Sequence, residues 1–419
     1  MQILIRSAKV ISPGSVWNGK TTDILIDNGI VTEIKHGIRA TKAREIKYRN
    51  LHVSPGWFDM QANFRDPGME YKEDISSGCA AAAAGGFTGV CLMPSTTPAV
   101  QTKADVEYVL NKSRSEIVDV YPAGALSVGL EGKDLAEMFD MRASGAIAFT
   151  DDKNAIKDAG LLVRAMQYCN SFNSLVMVFC NDPDISLDGK MNESPASTKL
   201  GLKGIPALAE EIMVARNIFI AEYCNSPIHL MSVSTAGSVD LIREAKQNKI
   251  KVTASVNAHS LLLSDNMLEE FDSNLKVNPP LRSKKDLDAL RKGLADGTID
   301  VIVSDHSPED VEHKVIEFDN AAFGMSCIET SFSLAMMAKG SLSLDKLISK
   351  ISINPRKILG LKHAEIRKGA EANLTLFDPS GKWTPTAAGL RSKSKNDPMI
   401  GKLLTSRVYG IINGTKASF

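Results

Sequence analysis

Strand-like apolar runs alternate with helix-like stretches eight times between about residue 54 and residue 360. Eight β-then-α units in a row favour an α/β fold, a TIM-like (β/α)8 barrel of parallel strands joined by right-handed crossovers. An open, doubly wound sheet is the alternative, but polar residues end nearly every strand, which favours the barrel. The predicted strands are 53–58, 89–93, 118–123, 146–149, 175–180, 228–233, 251–256 and 300–304.

Both ends of the chain have a different pattern. Residues 1–53 contain short β-rich runs separated by turn residues, among them the hairpin signal Asn28-Gly29. Strand character returns at 372–377 and 408–412. We therefore predict three segments: 1–53 as the first part of a small β-sandwich, 54–360 as the barrel, and 361–419 as the second part of the sandwich. Residues 379–402 are polar and irregular, which predicts a loop over the surface.

Composition narrows the class of protein. Lys plus Arg and Asp plus Glu both number 49, and no basic run occurs, so no nucleic-acid partner is expected. The sequence lacks an apolar run of about 18 residues and an N-terminal signal-peptide core, so neither a membrane span nor secretion is expected. Six scattered cysteines without a CxxC spacing indicate buried thiols in a reducing compartment. The expected location is the cytoplasm.

The candidate site lies at the C-terminal ends of the barrel strands. Gln61 and Asn63 face the same way at the end of the first strand, with the spacing of a metal-binding His-x-His pair but without imidazoles. Arg65 follows them and suits a carboxylate ligand; its alternative is an ion pair with Asp66, Glu70 or Asp74. Other polar residues at strand ends are Ser95, Asp151, Asp152, Ser232, Asn257, His259, Asp305 and His306, with Asn278 just before the last strand.

A binuclear metal site needs about four imidazoles and several carboxylates. The chain has seven histidines, and only His259 and His306 fall at strand ends, which is too few for two metals. A single-metal site of Asp305, Asp151 and one histidine stays open. Asp151 and Asp152 are either an acid–base pair or a loop cap. No nucleophile elbow, P-loop or dinucleotide-binding glycine motif occurs.

A series of motifs resembles one family. Pro55-Gly-Trp-Phe-Asp59 is followed by Arg65-Asp-Pro-Gly68, and later come Lys276-Val-Asn-Pro-Pro-Leu-Arg282 and Ser304-Asp-His306. In this order they resemble dihydroorotases of the amidohydrolase superfamily, of the long bacterial type that partners aspartate transcarbamoylase. The match runs nearly end to end. The resemblance implies the metal-dependent hydrolase fold, which is the predicted barrel with its β-sandwich.

The resemblance also assigns roles to positions. The family's four metal-binding histidines fall on Gln61, Asn63, Phe179 and Ser232. A metal-bridging Asp aligns with Asp151, and the Asp that is metal ligand and general base aligns with Asp305, here a vestigial catalytic residue. The substrate-binding positions are Arg65, Asn278 and Ser95, the last in place of Asn, and Glu309 stands where the family has histidine.

These replacements predict that no metal is bound. The ring of Phe179 cannot bind zinc and fills the space of an ion, and water without a metal keeps a pKa near that of bulk water. Asp151 and Asp305 would then face each other without a cation, which should raise one pKa or attract a cation.

Three functional hypotheses follow. The first is a dihydroorotase-like protein of pyrimidine biosynthesis that lacks the binuclear zinc site, is catalytically inactive and is a non-catalytic partner of aspartate transcarbamoylase. The second is an active dihydroorotase, or cyclic-amide hydrolase, with an atypical zinc site that converts dihydroorotate and water to N-carbamoyl-aspartate. The third is a protein that binds dihydroorotate or a similar small carboxylate through Arg65 and Asn278. Family resemblance also suggests a homodimer.

Overall fold

The computed structural model describes residues 2–419. The chain begins with five short strands: β1 (Gln2–Val10), β2 (Thr21–Asp27), β3 (Ile30–Lys35), β4 (Arg44–Ile46) and β5 (His52–Pro55). The predicted hairpin joins β2 to β3, and both of its turn residues, Asn28 and Gly29, have the left-handed backbone that such a turn requires (φ 48° and 80°).

The next ten strands follow in order: β6 (Trp57–Ala62), β7 (Phe87–Leu92), β8 (Asp119–Pro122), β9 (Ala148–Phe149), β10 (Leu175–Phe179), β11 (Met191–Asn192), β12 (Gly204–Ile205), β13 (Ile228–Met231), β14 (Val252–Asn257) and β15 (Val301–Val303). Strands β11 and β12 pair only with each other. The other eight form two parallel sheets, and parallel bridges from Gly124 to Phe149 and from Ala62 to His306 join them into a ring. The predicted (β/α)8 barrel is therefore confirmed.

Helices connect the barrel strands: α1 (Ile75–Ala84), α2 (Lys103–Ser113), α3 (Met138–Ala143), α4 (Ala159–Ser171), α5 (Pro183–Ser186), α6 (Pro195–Leu200), α7 (Ala207–Cys224), α8 (Ala236–Gln247), α9 (Lys284–Asp296), α10 (Val311–Lys314), α11 (Ser331–Ala338), α12 (Leu344–Ile348) and α13 (Asn354–Ile358). Side-chain caps start several of them, such as Asp74 for α1 and Thr102 for α2. A π-helical turn, Ser349–Ile353, joins α12 to α13. Within the described residues, no helix is long and apolar enough to cross a membrane.

Three final strands complete the sheet that the N-terminus began: β16 (Asn373–Trp383), β17 (Leu404–Asn413) and β18 (Lys416–Ser418). The strand order is β18-β17-β16-β5-β1-β2-β3, with β4 also paired to β1. Both termini therefore build one β domain, as predicted. This domain has its own apolar core, in which Ile3, Ile24 and Leu374 are fully buried, separate from the core of the barrel.

The prediction of one strand over 53–58 is wrong. Residues His52–Pro55 belong to the β domain, where β5 pairs with β1 and β16, and the barrel strand β6 starts at Trp57. The chain changes sheets at Gly56. A Cβ at that position would collide with the side chains of Asn373 and Thr88, so the close approach of the two sheets requires glycine there.

The prediction of a surface loop at 379–402 is correct only in part: residues 384–402 are irregular and many are exposed, but the segment starts in a strand and several of its polar residues are buried. Strand β16 extends to Trp383, and Ser392, Asn396 and Asp397 are at most 4% exposed. Acceptors from other parts of the fold bind the backbone amides of this segment. Glu329 Oε1 accepts hydrogen bonds from the amides of Arg391 at 2.8 Å and Ser392 at 3.0 Å. A polar sequence can therefore be buried here because the rest of the fold supplies its hydrogen-bond partners.

Glu329 gives this segment a pH dependence. Burial raises the pKa of Glu329 from 4.5 to about 7, although the two amide donors oppose the change. The pKa of Glu329 is higher in the folded than in the unfolded chain. The contribution of this residue to the stability of the fold is therefore complete below about pH 4.5 and is lost as the pH rises through about 7. Relative to the wild type, Glu329→Gln should therefore gain about 1–3 kcal/mol of unfolding free energy between about pH 5 and 8. Urea unfolding of both proteins at several pH values between about 5 and 8 measures this difference in unfolding free energy. The control is Glu131→Gln at an exposed ion pair; parallel pH profiles for wild type and Glu329→Gln would contradict the prediction.

Candidate active site

Four residues at the ends of barrel strands have left-handed backbone. They are Arg65, Asp152, Ser232 and Asp305, with φ between 50° and 58°. Residues other than glycine adopt this conformation at a cost of about 1 kcal/mol or more, and such strain is concentrated at functional sites. Four strained residues at strand ends therefore mark the barrel mouth as the candidate site.

Asp305 lies at the centre of the mouth and is 5% exposed. Its Oδ1 accepts a hydrogen bond from Gln61 Nε2 at 2.6 Å, and its Oδ2 accepts one from Asn257 Nδ2 at 2.8 Å. Gln61 Oε1 in turn accepts from the Ser232 hydroxyl at 3.0 Å. Gln61 and Ser232 stand where the resembled family has histidines, and both are neutral. Ser232 binds Gln61, and Gln61 binds Asp305.

The cation beside Asp305 is Lys153. Its Nζ lies 2.8 Å from Oδ1 and 3.0 Å from Oδ2 of Asp305, and 3.4 Å from the hydroxyl of Ser232. It also lies over the ring of Phe179, 5.0 Å from the centroid, where a cation–π attraction operates. The ammonium group therefore contacts Asp305, Ser232 and Phe179, three positions to which the resemblance assigns metal ligands.

Burial is the main cause of an elevated pKa at Asp305, which rises to about 6, while Lys153 opposes the change. The Asp152 carboxylate also contributes to this rise. A cation does accompany the Asp305 carboxylate, but it belongs to the chain itself, and the pKa is raised mainly by burial and not by a facing Asp151 carboxylate as the sequence analysis expected.

The prediction that Asp151 faces Asp305 is wrong. Asp151 instead accepts hydrogen bonds from the amides of Leu126 and Ser127, both at 2.9 Å, and from the Ser127 hydroxyl. It therefore orders a neighbouring loop. The family-derived metal-ligand role does not fit these contacts of Asp151.

Asp152 is the carboxylate that joins the site. Its Oδ2 accepts from Asn63 Nδ2 at 3.3 Å and from the hydroxyl of Ser95, which also lies 2.9 Å from Asn63 Oδ1. Ser95 and Asn63, predicted as a substrate contact and a ligand position, thus form a closed hydrogen-bonded group with Asp152.

The two histidines at strand ends do not complete a metal site. His306 Nε2 lies 3.6 Å from Glu73, and both side chains are fully buried. Burial lowers the pKa of His259 to about 3, and its Nδ1 lies 3.9 Å from the Cys327 sulfur. Over residues 2–419, no group of three or more His, Cys, Asp or Glu side chains could hold a metal ion. The single-metal arrangement of Asp305, Asp151 and a histidine is therefore not assembled.

Arg65, the predicted anion-binding residue, makes an ion pair with a residue that the sequence analysis did not pair with it. Its Nη2 lies 2.7 Å from Glu309 Oε1 and donates to the Ser307 hydroxyl at 2.7 Å. The alternatives Asp66 and Asp74 pair instead with lysines elsewhere. Asn278 has a buried Oδ1 for which the described residues supply no hydrogen-bond partner.

Sequence reasoning missed Lys153 and its pairing with Asp305. The only local signal is its position, directly after Asp151 and Asp152 at the end of a barrel strand. In a sequence, a lysine next to two aspartates is typical of a solvent-exposed loop. Its importance emerges only when Asp305 and Phe179, from two other strands, are brought beside it.

Comparison with known proteins shows the family and the fold of the chain. A family model described as "Dihydro-orotase-like" matches residues 51–238. A dihydroorotase from Trichlorobacter lovleyi is 42% identical over 100% of this chain and 99% of its own length, and one from Ruminiclostridium cellulolyticum is 43% identical over 99% and 98%. The chain belongs to the dihydroorotase family. The fold of this chain is shared with a solved hydantoinase: the L-hydantoinase (dihydropyrimidinase) from Arthrobacter aurescens superposes with a TM-score of 0.86, at 22% identity, over 99% of this chain and 95% of its own.

This member of the dihydroorotase family does not have the side chains that a binuclear zinc centre needs. Zinc is bound by imidazole, thiolate or carboxylate groups. Two carboxamides, a phenyl ring and a hydroxyl stand where the resembled family has histidines, and the Lys153 ammonium already pairs with Asp305. A dication beside that ammonium would be repelled, so these residues do not fit the metal centre.

Proposed function

We propose that this chain is a catalytically inactive member of the dihydroorotase family, without a zinc centre, that acts in pyrimidine biosynthesis as a non-catalytic partner of aspartate transcarbamoylase. One observation carries the proposal: the Lys153 ammonium pairs with both oxygens of Asp305. Asp305 is the residue that, by family resemblance, would bind metal and remove a proton from water.

Hydrolysis of dihydroorotate needs an activated water molecule and a free base. A zinc ion lowers the pKa of bound water from 15.7 to about 7, and nothing in the Gln61, Ser232 and Lys153 group supplies an equivalent Lewis acid. Asp305 already accepts hydrogen bonds from Gln61, Asn257 and Lys153. A base whose two oxygens are so occupied has little capacity to position and deprotonate water.

Purified protein should therefore contain far less than one zinc per chain, even after growth with added zinc, and should not interconvert dihydroorotate and N-carbamoyl-aspartate. Metal analysis by mass spectrometry and an assay in both directions test this. The Trichlorobacter lovleyi relative, expressed and purified in parallel, is the positive control. Stoichiometric zinc together with turnover would favour the alternative of an active cyclic-amide hydrolase with an atypical site.

The partner role is supported by the retained scaffold. The barrel and its β domain have the fold of a solved hydantoinase, while Gln61, Asn63, Phe179 and Ser232 stand where the resembled family has histidines. A fold without the metal-binding side chains fits a role that depends on the surface of the protein and not on catalysis. By resemblance to the long bacterial type, the partner is aspartate transcarbamoylase, and the chain itself forms a homodimer.

Co-expression with aspartate transcarbamoylase from the same organism tests the partner role. We expect the two proteins to co-elute in size-exclusion chromatography and the transcarbamoylase to inactivate more slowly on heating when this chain is present. The chain alone reports its oligomeric state in the same experiment. Separate elution at micromolar concentrations, with unchanged heat inactivation, would contradict the role without affecting the conclusion about zinc.

A further inference from the structure

Glu309 links two cations beside the barrel mouth. Its Oε1 accepts from Arg65 Nη2 at 2.7 Å, and its Oε2 accepts from Lys72 Nζ at 2.6 Å. The side chains of Arg65 and Lys72 are each 11% exposed, and that of Glu309 is 6% exposed. One carboxylate therefore bridges two nearly buried positive charges and offsets one of them.

We infer that Arg65 and Lys72 form a carboxylate-binding site, and that the Glu309 side chain of the chain itself is its permanent occupant. A guanidinium and an ammonium that point at one carboxylate are a strong arrangement for binding this group. Two buried cations without a counter-ion would carry a large desolvation cost. The site therefore needs an anion, and Glu309 supplies it.

The backbone holds Glu309 in this place. Its amide donates to Asn396 Oδ1 at 3.2 Å, and Asn396 Nδ2 donates to the carbonyl of Gly324 at 3.2 Å. Arg65 Nε also donates to the carbonyl of Pro308 at 3.2 Å. The turn that carries the carboxylate is thus fixed from both sides, so the occupant does not need to be recruited from solution.

Other acids near this site have their own partners. Asp66 pairs with Lys112 at 2.8 Å, and Asp74 pairs with Lys393. Glu309 is consequently the counter-ion of Arg65 and Lys72. Small carboxylates from solution would have to displace it, together with its backbone contacts, before they could reach the two cations.

This inference goes beyond the absence of hydrolysis, because it concerns ligand binding. The wild-type chain excludes small carboxylates from the mouth, and removal of the Glu309 carboxylate creates a site for them. Glu309→Ala deletes a carboxymethyl group, which has the size and charge of acetate. Acetate is therefore the matched probe for the vacated position.

The experiment is a thermal unfolding series of wild type, Glu309→Ala and Glu309→Gln in sodium acetate or sodium chloride at equal ionic strength. We expect Glu309→Ala to lose several degrees of Tm in chloride and to regain most of it, saturably, in acetate. Wild type should show no such difference, and Glu309→Gln should show little, because its carboxamide fills the space.

Lys72→Met in the Glu309→Ala background should abolish the saturable response to acetate. An equal acetate effect on wild type and Glu309→Ala would overturn the inference. If Glu309→Ala does not fold, Glu309→Gln tests the inference instead. Its Tm should be lower than that of wild type, and adding Lys72→Met should restore the Tm. An unchanged Tm in Glu309→Gln would overturn the inference. All readouts are thermal, so failure here is distinguishable from failure of the proposal about catalysis.

Discussion

Replacing Lys153 with methionine is expected to lower the free energy of unfolding by about 3 kcal/mol at neutral pH, because it leaves a buried charge without its partner. Asp305 is 5% exposed and keeps only neutral donors once the ammonium is removed. The Lys153 side chain is 23% exposed, so water moderates the loss. Methionine retains the unbranched shape and the contact with Phe179, which limits any packing effect.

The loss depends on pH in a defined direction. Burial raises the pKa of Asp305 above its ordinary value and Lys153 lowers it, so the pKa must rise further in Lys153→Met. A raised folded-state pKa means that stability is complete at low pH and is lost as the pH increases. The difference between variant and wild type should therefore be small near about pH 4 and increase through and above about pH 6.

Two further variants make this prediction specific. Lys153→Met combined with Asp305→Asn should recover most of the stability, because no buried charge remains. Lys157→Met is the matched control, since Lys157 lies four residues later and pairs with Asp184 while both side chains are more than half exposed. It should change the stability little, because solvent screens an exposed ion pair. Equal losses for Lys153→Met and Lys157→Met would contradict the buried-pair interpretation.

Restoring imidazoles should not restore zinc while Lys153 is present. The variant carries histidine at the four positions where the family has it: Gln61, Asn63, Phe179 and Ser232. Zinc binds carboxylate oxygen at about 2.0–2.2 Å, and here the ammonium is 2.8 Å from the same carboxylate. The two cations would compete for Asp305 and repel each other. We expect far less than one zinc per chain in this variant.

Adding Lys153→Ala to the four histidines should allow zinc to bind. The expected change is from trace zinc to at least one zinc per chain, measured by mass spectrometry after dialysis, with circular dichroism as the control for folding. Asp152→Asn should reduce zinc content in the five-residue variant, because Asp152 and not Asp151 joins the site. Equal zinc content with and without Lys153 would show that the ammonium is not the obstacle.

Much of the fold could be predicted because its signals are local. Helix α1 has its alanine-rich run, its Asp74 cap and its Gly85 stop within a few residues of each other, and Thr102 caps the start of α2. The error at 53–58 has a physical cause too: β5 and β6 are both buried and apolar, and only Gly56 marks the change of sheet. The buried segment that includes Ser392 was missed because its acceptors come from distant elements.

By itself, the sequence determined the alternation of strands and helices, because periodicity can be read without knowing which parts meet, and it showed that only two of the seven histidines lie at strand ends. Only the tertiary structure decided how the site compensates. Lys153 and Asp305 are 152 residues apart, and Arg65 and Glu309 are 244 residues apart. Charges pair according to which strand ends a closed barrel brings together, and burial makes these pairings strong. The barrel mouth therefore contains an internal cation and an internal anion that the linear chain does not reveal.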